Sequence, residues 1–182
     1  YARQALPLSE MIPAAASYPG EENSSFLIPM GVGVVISPWN FPFAILAGMA
    51  IAPAVVGNCV IVKPSPDTPI IAQKFMECVN EAGFPAGVIN LLTGDDADLG
   101  DALVDHSRTR FINFTGSLNT GMRINERAAK VQPGQNFLKR IYVEMGGKDA
   151  LIVDETVDLD YAASVAVASG FGFQGQKCSA MS

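Results

Sequence analysis

The chain has 182 residues, 49% of them apolar and 16% charged, the balance of a globular protein with one sizeable core. Twelve basic residues stand against eighteen acidic ones and the isoelectric point is near 4.7, which leaves no footprint for a nucleic-acid backbone or an anionic membrane surface. Three cysteines without framework spacing argue against disulfide stapling and for a reducing compartment, with cytoplasmic as the default.

Residues 1 to 30, with a turn at Tyr18-Pro19-Gly20-Glu21, carry little periodic signal and read as an N-terminal arm. From Gly31 onward, short β-branched runs alternate with helical stretches. Val32 to Ile36 reads as a strand and Phe43 to Val56 as a helix. The longest apolar stretch, Phe41 to Val56, is broken by Pro42 and Pro53 and is too short to span a bilayer comfortably. Cys59 to Val62, Val88 to Leu92 and Phe111 to Phe114 continue as strands, separated by helices over Ile70 to Ala82 and around Leu99 to Asp105. A helix over Asn119 to Val131, a loop at Gln132 to Asn136, strands at Ile141 to Glu144 and Ala150 to Val153, and a helix from Leu159 towards Gly170 complete the reading.

Strands apolar on both faces, each followed by a helix, are what a parallel sheet covered on both sides requires. The expected fold is therefore α/β, an open parallel sheet with helices on both faces. Residues 31 to 150 are expected to carry this sheet, and 151 to 182 to begin a second unit. In such sheets ligands bind beyond the carboxyl ends of the strands, so the loops after Ile36, Val62, Leu92 and Phe114 are expected to face one crevice. The chain opens with Tyr1 and stops four residues after Cys178, so we expect it to be cut at both ends.

Cys178 lies in the polar loop Phe173-Gln174-Gly175-Gln176-Lys177-Cys178-Ser179-Ala180. A reactive thiolate needs exposure and backbone N–H groups close by, which such a loop supplies; an incidental loop cysteine is the other reading. Cys59 and Cys78, in a strand and a helix, read as inert packing. Glu144 ends an apolar strand before Met145-Gly146-Gly147-Lys148. There a carboxylate is solvated, paired or used, and the paired glycines suggest close approach to the backbone. Asn40, in Pro38-Trp39-Asn40-Phe41-Pro42, is either a donor to a developing oxyanion or a helix N-cap. The pair Gly31 and Gly33 opens a strand instead of ending one and so marks no dinucleotide fingerprint.

Five runs in order, Pro-Trp-Asn-Phe-Pro at 38 to 42, Val-Lys-Pro-Ser at 62 to 65, Phe-Thr-Gly-Ser at 114 to 117, Glu-Met-Gly-Gly-Lys at 144 to 148 and Phe-Gly-Phe-Gln-Gly-Gln-Lys-Cys at 171 to 178, resemble the aldehyde dehydrogenase superfamily. The segment Gln132 to Arg140 and the tail through Ala180 are most similar to its pyrroline-5-carboxylate (glutamate semialdehyde) branch. The resemblance implies a Rossmann-like dinucleotide-binding domain over residues 31 to 150, with 151 to 182 the start of a catalytic domain that is largely missing, and it implies Cys178 as nucleophile, Glu144 as general base and Asn40 as oxyanion donor. It implies NAD, with NADP possible, held by Ile36, Trp39, Lys63, Gly116 and Ser117. Phe41 and Ser179 would touch the substrate. Read alone, Lys63 would be an exposed loop lysine and Trp39 a core residue.

Two departures from the family pattern stand out. Pro66 occupies the position of a common ribose-binding glutamate, and the loop after the third strand keeps Gly94 and Gly100 but has Asp96 between them. The activity implied is oxidation of a small aldehyde to a carboxylate, with no metal, in a whole protein that is a homo-oligomer. Two other readings are a CoA-acylating semialdehyde dehydrogenase, which Glu144 argues against, and a non-catalytic dinucleotide-binding fragment.

Overall fold

In the computed structural model, which describes residues 1–12, 15, 18–95 and 98–182, every strand in the sheet pairs in parallel. The strands are β1 (Val32–Ile36), β2 (Cys59–Lys63), β3 (Ile89–Leu91), β4 (Phe111–Thr115) and β5 (Arg140–Glu144), in the spatial order β3-β2-β1-β4-β5. The helices between them are α2 (Ala44–Val55), α3 (Pro69–Glu81), α4 (Asp98–Asp105) and α5 (Leu118–Ala128). This is the doubly covered open sheet expected from the apolar strands.

Alternation along the strands divides the core into two layers. Val35, Val60 and Val62 pack with Leu46, Ala50 and Ala54 of α2 and with Ala72, Phe75 and Val79 of α3. Val34, Ile112 and Phe114 pack on the opposite face with Leu103 and Val104 of α4 and Ile124 and Ala128 of α5. Local signals agree with these elements. Pro69 opens α3, where a missing N–H costs nothing, and Ser117 caps α5, its Oγ accepting from the Thr120 N–H at 3.2 Å.

Gly33 is explained by packing: a Cβ there would sit 2.0 Å from the Phe111 ring of the neighbouring strand. The entry to β1 is held by Asn58, a side chain only 7% exposed. Its Oδ1 accepts from the Met30 and Gly31 N–H groups at 2.7 and 3.0 Å, and its Nδ2 donates to the Pro53 carbonyl at 3.1 Å.

The structure corrects three expectations. Residues 1 to 30 contain a helix, α1 (Ala2–Ser9), and the Tyr1 ring that precedes it lies against Gly48 of α2, where an added Cβ would come within 2.8 Å; Ala, Gln and Leu are good helix formers even without a clear apolar stripe. Ala150 to Val153 forms no strand. No element of the described residues pairs with it, Ile152 is 93% exposed, and only an isolated bridge between Asp149 and Met181 lies nearby. Cys78 is exposed on α3, so it is not a packing residue, while Cys59 is half-buried at the start of β2. The last helix, α6 (Leu159–Phe171), forms as expected but buries none of its residues. Among the described residues no helix is long and apolar enough to cross a membrane.

Replacing Asn58 with Ala orphans two backbone N–H donors at the strand entry. We expect a loss of about 2–4 kcal/mol of stability, from ~1–3 kcal/mol for each buried group left unsatisfied less partial rehydration, measured as a lowered urea midpoint with an unchanged slope.

Candidate active site

The strand order reverses at β1. Its two neighbours, β2 and β4, continue the sheet in opposite directions, so the segments leaving β1 and β4 part and open a crevice beyond their carboxyl ends. A cleft of about 690 Å³ lies there, within the range of small-molecule and cofactor sites. Its wall includes Ile36 to Asn40 after β1, Lys63 and Ser65 after β2, Phe114 to Ser117 at the end of β4, Met145 to Gly147 after β5, and Lys177 and Cys178. On the α4–α5 side it is closed by Gly100, Asp101, Thr120 and Arg123. Of the four loops expected to converge, the one after Leu92 does not contribute a described residue to this wall. Asp96 lies outside the described residues; Gly94 is filled against Leu99, whose Cδ2 would be 3.0 Å from an added Cβ.

Seven of the ten residues singled out in the sequence share this cleft: Ile36, Trp39, Asn40, Lys63, Gly116, Ser117 and Cys178. Among the described residues Lys63 is the largest fully buried side chain, at 1% exposure, with Nζ donating to the Pro64 carbonyl at 3.3 Å. The exposed loop lysine is thus excluded. Trp39 is 40% exposed and is no core residue. Asn40 is not a helix cap, since α2 begins at Ala44 with Phe43 at its cap position. Its Nδ2 donates instead to the Gln176 carbonyl at 2.9 Å, across 136 residues of sequence and two residues before Cys178.

Three residues stand outside the lining. Glu144 ends β5 in register with Thr115, its main-chain carbonyl accepting from Gly116 at 3.0 Å and its side chain exposed. The next residues, Met145 to Gly147, do line the cleft. Gly147 abuts the cysteine loop: a Cβ there would come within 2.8 Å of the Cys178 carbonyl oxygen and of Asp149 Oδ2. The close approach suggested by the paired glycines is therefore made by the loop that carries the cysteine. Phe41 lies beside the cleft, its ring under Lys177 Nζ at 5.7 Å from the centroid. Ser179 is exposed.

The cysteine loop is itself unusual in conformation. Phe173, Gln174 and Gly175 follow one another in the left-handed region, with φ of 55°, 57° and 70°. That conformation costs an L-residue roughly 1–2 kcal/mol, so two of the three positions are held by their surroundings.

Comparison with known proteins decides the family. The model of the aldehyde dehydrogenase family matches residues 1–182. The chain belongs to the aldehyde dehydrogenase family. It is 61% identical over its whole length to proteins named 1-pyrroline-5-carboxylate dehydrogenase from Anoxybacillus flavithermus and Geobacillus kaustophilus, and covers 35% of each. Among solved structures, a 1-pyrroline-5-carboxylate dehydrogenase from Thermus described with bound NAD superposes with a TM-score of 0.91 at 53% identity, over all of this chain and 35% of that one. Proline utilization A from Bdellovibrio bacteriovorus gives 0.89 at 46% identity, over all of this chain and 19% of that one. The chain thus spans about a third of the length of the curated relatives it matches.

Within this aldehyde dehydrogenase cleft, the sequence reading missed Lys177, Ser37, Asp101 and Arg123. Asp101 and Asp105 on α4 face Arg123 and Arg127 on α5, where Arg127 bonds Asp101 at 3.2 Å and the pairs Arg123–Asp101 and Arg127–Asp105 are closer still. The Asp101 carboxylate, by hydrogen bond and then by charge, pushes the Arg123 guanidinium pKa further up. Acidic and basic pairs four residues apart on successive helices were the available signal. Among the described residues, no group of three or more His, Cys, Asp or Glu side chains is placed to hold a metal ion.

Adding a side chain at Gly147 tests the contact between the β5 turn and the cysteine loop. Gly147→Ala is expected to cost about 1–3 kcal/mol by overpacking. Hydrogen exchange should speed up at the amides of Gln176 to Met181 and stay unchanged in β1 and β4.

Proposed function

We propose that this chain supplies the nucleophile and the cofactor-facing wall of an NAD(P)-dependent dehydrogenase. Its substrate is glutamate semialdehyde, the open form of 1-pyrroline-5-carboxylate, and its product is glutamate, a step of proline catabolism. The observation that supports this most is the meeting of Asn40, the Gly147 turn after Glu144 and the Cys178 loop at one end of the cleft, in a chain whose relatives carry the name of that activity. In this reading residues 31–150 are the dinucleotide-binding domain and 151–182 begin the catalytic one. The division is supported by a sheet that lies wholly within residues 32–144 and by the absence of buried residues in α6.

The wall fits a dinucleotide. Helix α5 starts at the cleft with Ser117, and free N–H groups of a first helical turn favour the negative charge of a pyrophosphate. Gly100 and Gly146 leave room there, since a Cβ on either would meet nothing within 4 Å. Ile36, Trp39, Lys63, Gly116 and Ser117 are the residues that would hold the cofactor, Lys63 at the ribose hydroxyls. NAD is the dinucleotide proposed. When bound, it supplies the hydride acceptor.

The chemistry of the chain's own residues follows. The Cys178 thiolate forms a carbon–sulfur bond to the aldehyde carbon, and the carbonyl oxygen becomes an oxyanion. An amide side chain has two N–H donors. Asn40 commits one to Gln176 and has the second for the oxyanion, together with the Cys178 backbone N–H. Oxidation leaves a thioester on Cys178. Glu144 then takes a proton from water, which attacks the thioester carbonyl; the carbon–sulfur bond breaks, releasing carboxylate and thiolate. Phe41 and Ser179 are the proposed substrate contacts.

In the intact protein, growth of reduced-cofactor absorbance with glutamate semialdehyde and either NAD or NADP tests the reaction and the cofactor together. Glu144→Gln is expected to lower steady-state turnover by about 10²–10⁴-fold, the usual worth of a general base. It should also leave an acyl adduct on the Cys178 peptide, visible by mass. Cys178→Ser should show neither turnover nor adduct. Wild-type turnover in either variant, or faster turnover with CoA and an acyl-CoA product, would overturn the mechanism.

A further inference from the structure

Phe173 has no role in the chemistry above, yet it and Gln174 are the two non-glycine residues with positive φ among the described residues. It opens the left-handed turn Phe173–Gly175, and its ring is 54% exposed, so the hydrophobic core does not hold it. What it does touch is Trp39: the ring centroids are 5.9 Å apart and the planes tilted by 45°, a separation typical of a favourable aromatic pair.

The turn is tied down at further points. Gln176 Nε2 donates to Gln174 Oε1 at 2.8 Å, the Gln176 N–H donates to the Phe173 carbonyl at 3.1 Å, and Asn40 Nδ2 donates to the Gln176 carbonyl at 2.9 Å. Trp39 and Asn40 are neighbours on the short segment leaving β1. The same segment therefore grips the cysteine loop twice, once through a ring and once through an amide. Gln174 has no glycine freedom to adopt φ of 57° unaided. The ring contact is the grip that the Phe173 side chain itself makes on the segment after β1, beside the main-chain bond its carbonyl accepts from Gln176.

We propose that Phe173 is a positioning residue: seated on Trp39, its ring keeps residues 173–175 in the left-handed turn and so sets where the Cys178 sulfur stands relative to Asn40. The proposal rests on Cys178 being the nucleophile. It assigns Phe173 no contact with substrate or cofactor. Displacing a reacting group by ~1 Å can cost about 10²-fold in rate, so the effect belongs to kcat with cofactor affinity left alone.

The test uses the intact protein with Phe173→Ala and Phe173→Tyr, the second keeping a ring for Trp39. Three quantities are measured: kcat with glutamate semialdehyde, the NAD dissociation constant by fluorescence titration, and the rate of iodoacetamide modification at each cysteine by peptide mass. Cys78, exposed on α3 and absent from the lining of the cleft, is the internal reference. For Phe173→Ala we expect kcat to fall about 10–100-fold, the Cys178 modification rate to shift by about threefold or more, and the NAD constant and Cys78 rate to hold within about twofold. Phe173→Tyr should restore kcat and the Cys178 rate to near wild type. An unchanged Cys178 rate and kcat in Phe173→Ala overturns the proposal. So does a parallel change at Cys78 and in the NAD constant, which marks general loosening, or an equal loss in Phe173→Tyr. If Cys178→Ser itself keeps full activity, the failure is that of the nucleophile assignment and is recognised as such.

Discussion

The double pairing of β1 governs this structure. A strand at the centre of a parallel sheet must hydrogen-bond on both sides, and here β1 takes β2 on one side and β4 on the other, in registers that bring Ile36, Lys63 and Phe114 level. The chain leaves β1 to cross one face of the sheet through α2 and α3 and returns to the far side of β1 as β4, so its connections diverge at the carboxyl ends of these two strands. A crevice there is a consequence of topology. Gly33 permits it, because only a residue without a Cβ admits the Phe111 ring across the β1–β4 seam. Asn58 secures the strand's entry by satisfying two part-buried donors that the segment before it would leave unpaired.

On that frame the groups proposed for catalysis are held less by the core than by one another. The segment after β1 carries Trp39 and Asn40 to the loop that carries Cys178, and the turn after β5 presents Gly147 to the same loop. None of these contacts is a large apolar burial. They are a hydrogen bond, a tilted aromatic pair and the absence of a side chain, each of which fixes direction more than it adds stability. Such an arrangement suits a nucleophile, whose rate depends on placement to within a fraction of an ångström. Charge around the cleft is arranged with similar economy. Lys63 is buried in the wall, while Arg123 and Arg127 are neutralised by Asp101 and Asp105 where α4 and α5 close it.

Much of the fold was legible because its signals are local. Runs such as Cys59-Val60-Ile61-Val62 and Phe111-Ile112-Asn113-Phe114 are apolar on both faces, and only a sheet covered on both sides accommodates them. Pro69 and Ser117 mark helix starts by their own chemistry. Ala150 to Val153 shows where that logic stops: β-branched residues favour a strand, but a strand exists only beside a partner, and among the described residues it has none. Cys78 fails in a similar way, since which side of α3 meets the sheet is set by Phe75 and Val79 and leaves the cysteine outside. The helix α1 was overlooked because its stripe is weak and its anchor, Tyr1 on Gly48, is a contact between distant parts of the chain.

By itself the sequence determined the parallel α/β class, the places where strands give way to polar turns, and the five ordered motifs that mark the family, because backbone periodicity and motif chemistry are written within a few residues of each other. Tertiary structure alone decided that Lys63 is buried in a cleft wall, that Asn40 reaches Gln176, that Gly147 makes room for the cysteine loop and that Phe173 rests on Trp39. Each of these joins residues from separate crossovers. Their meeting depends on strand order and register, which are properties of the whole sheet and of no single segment.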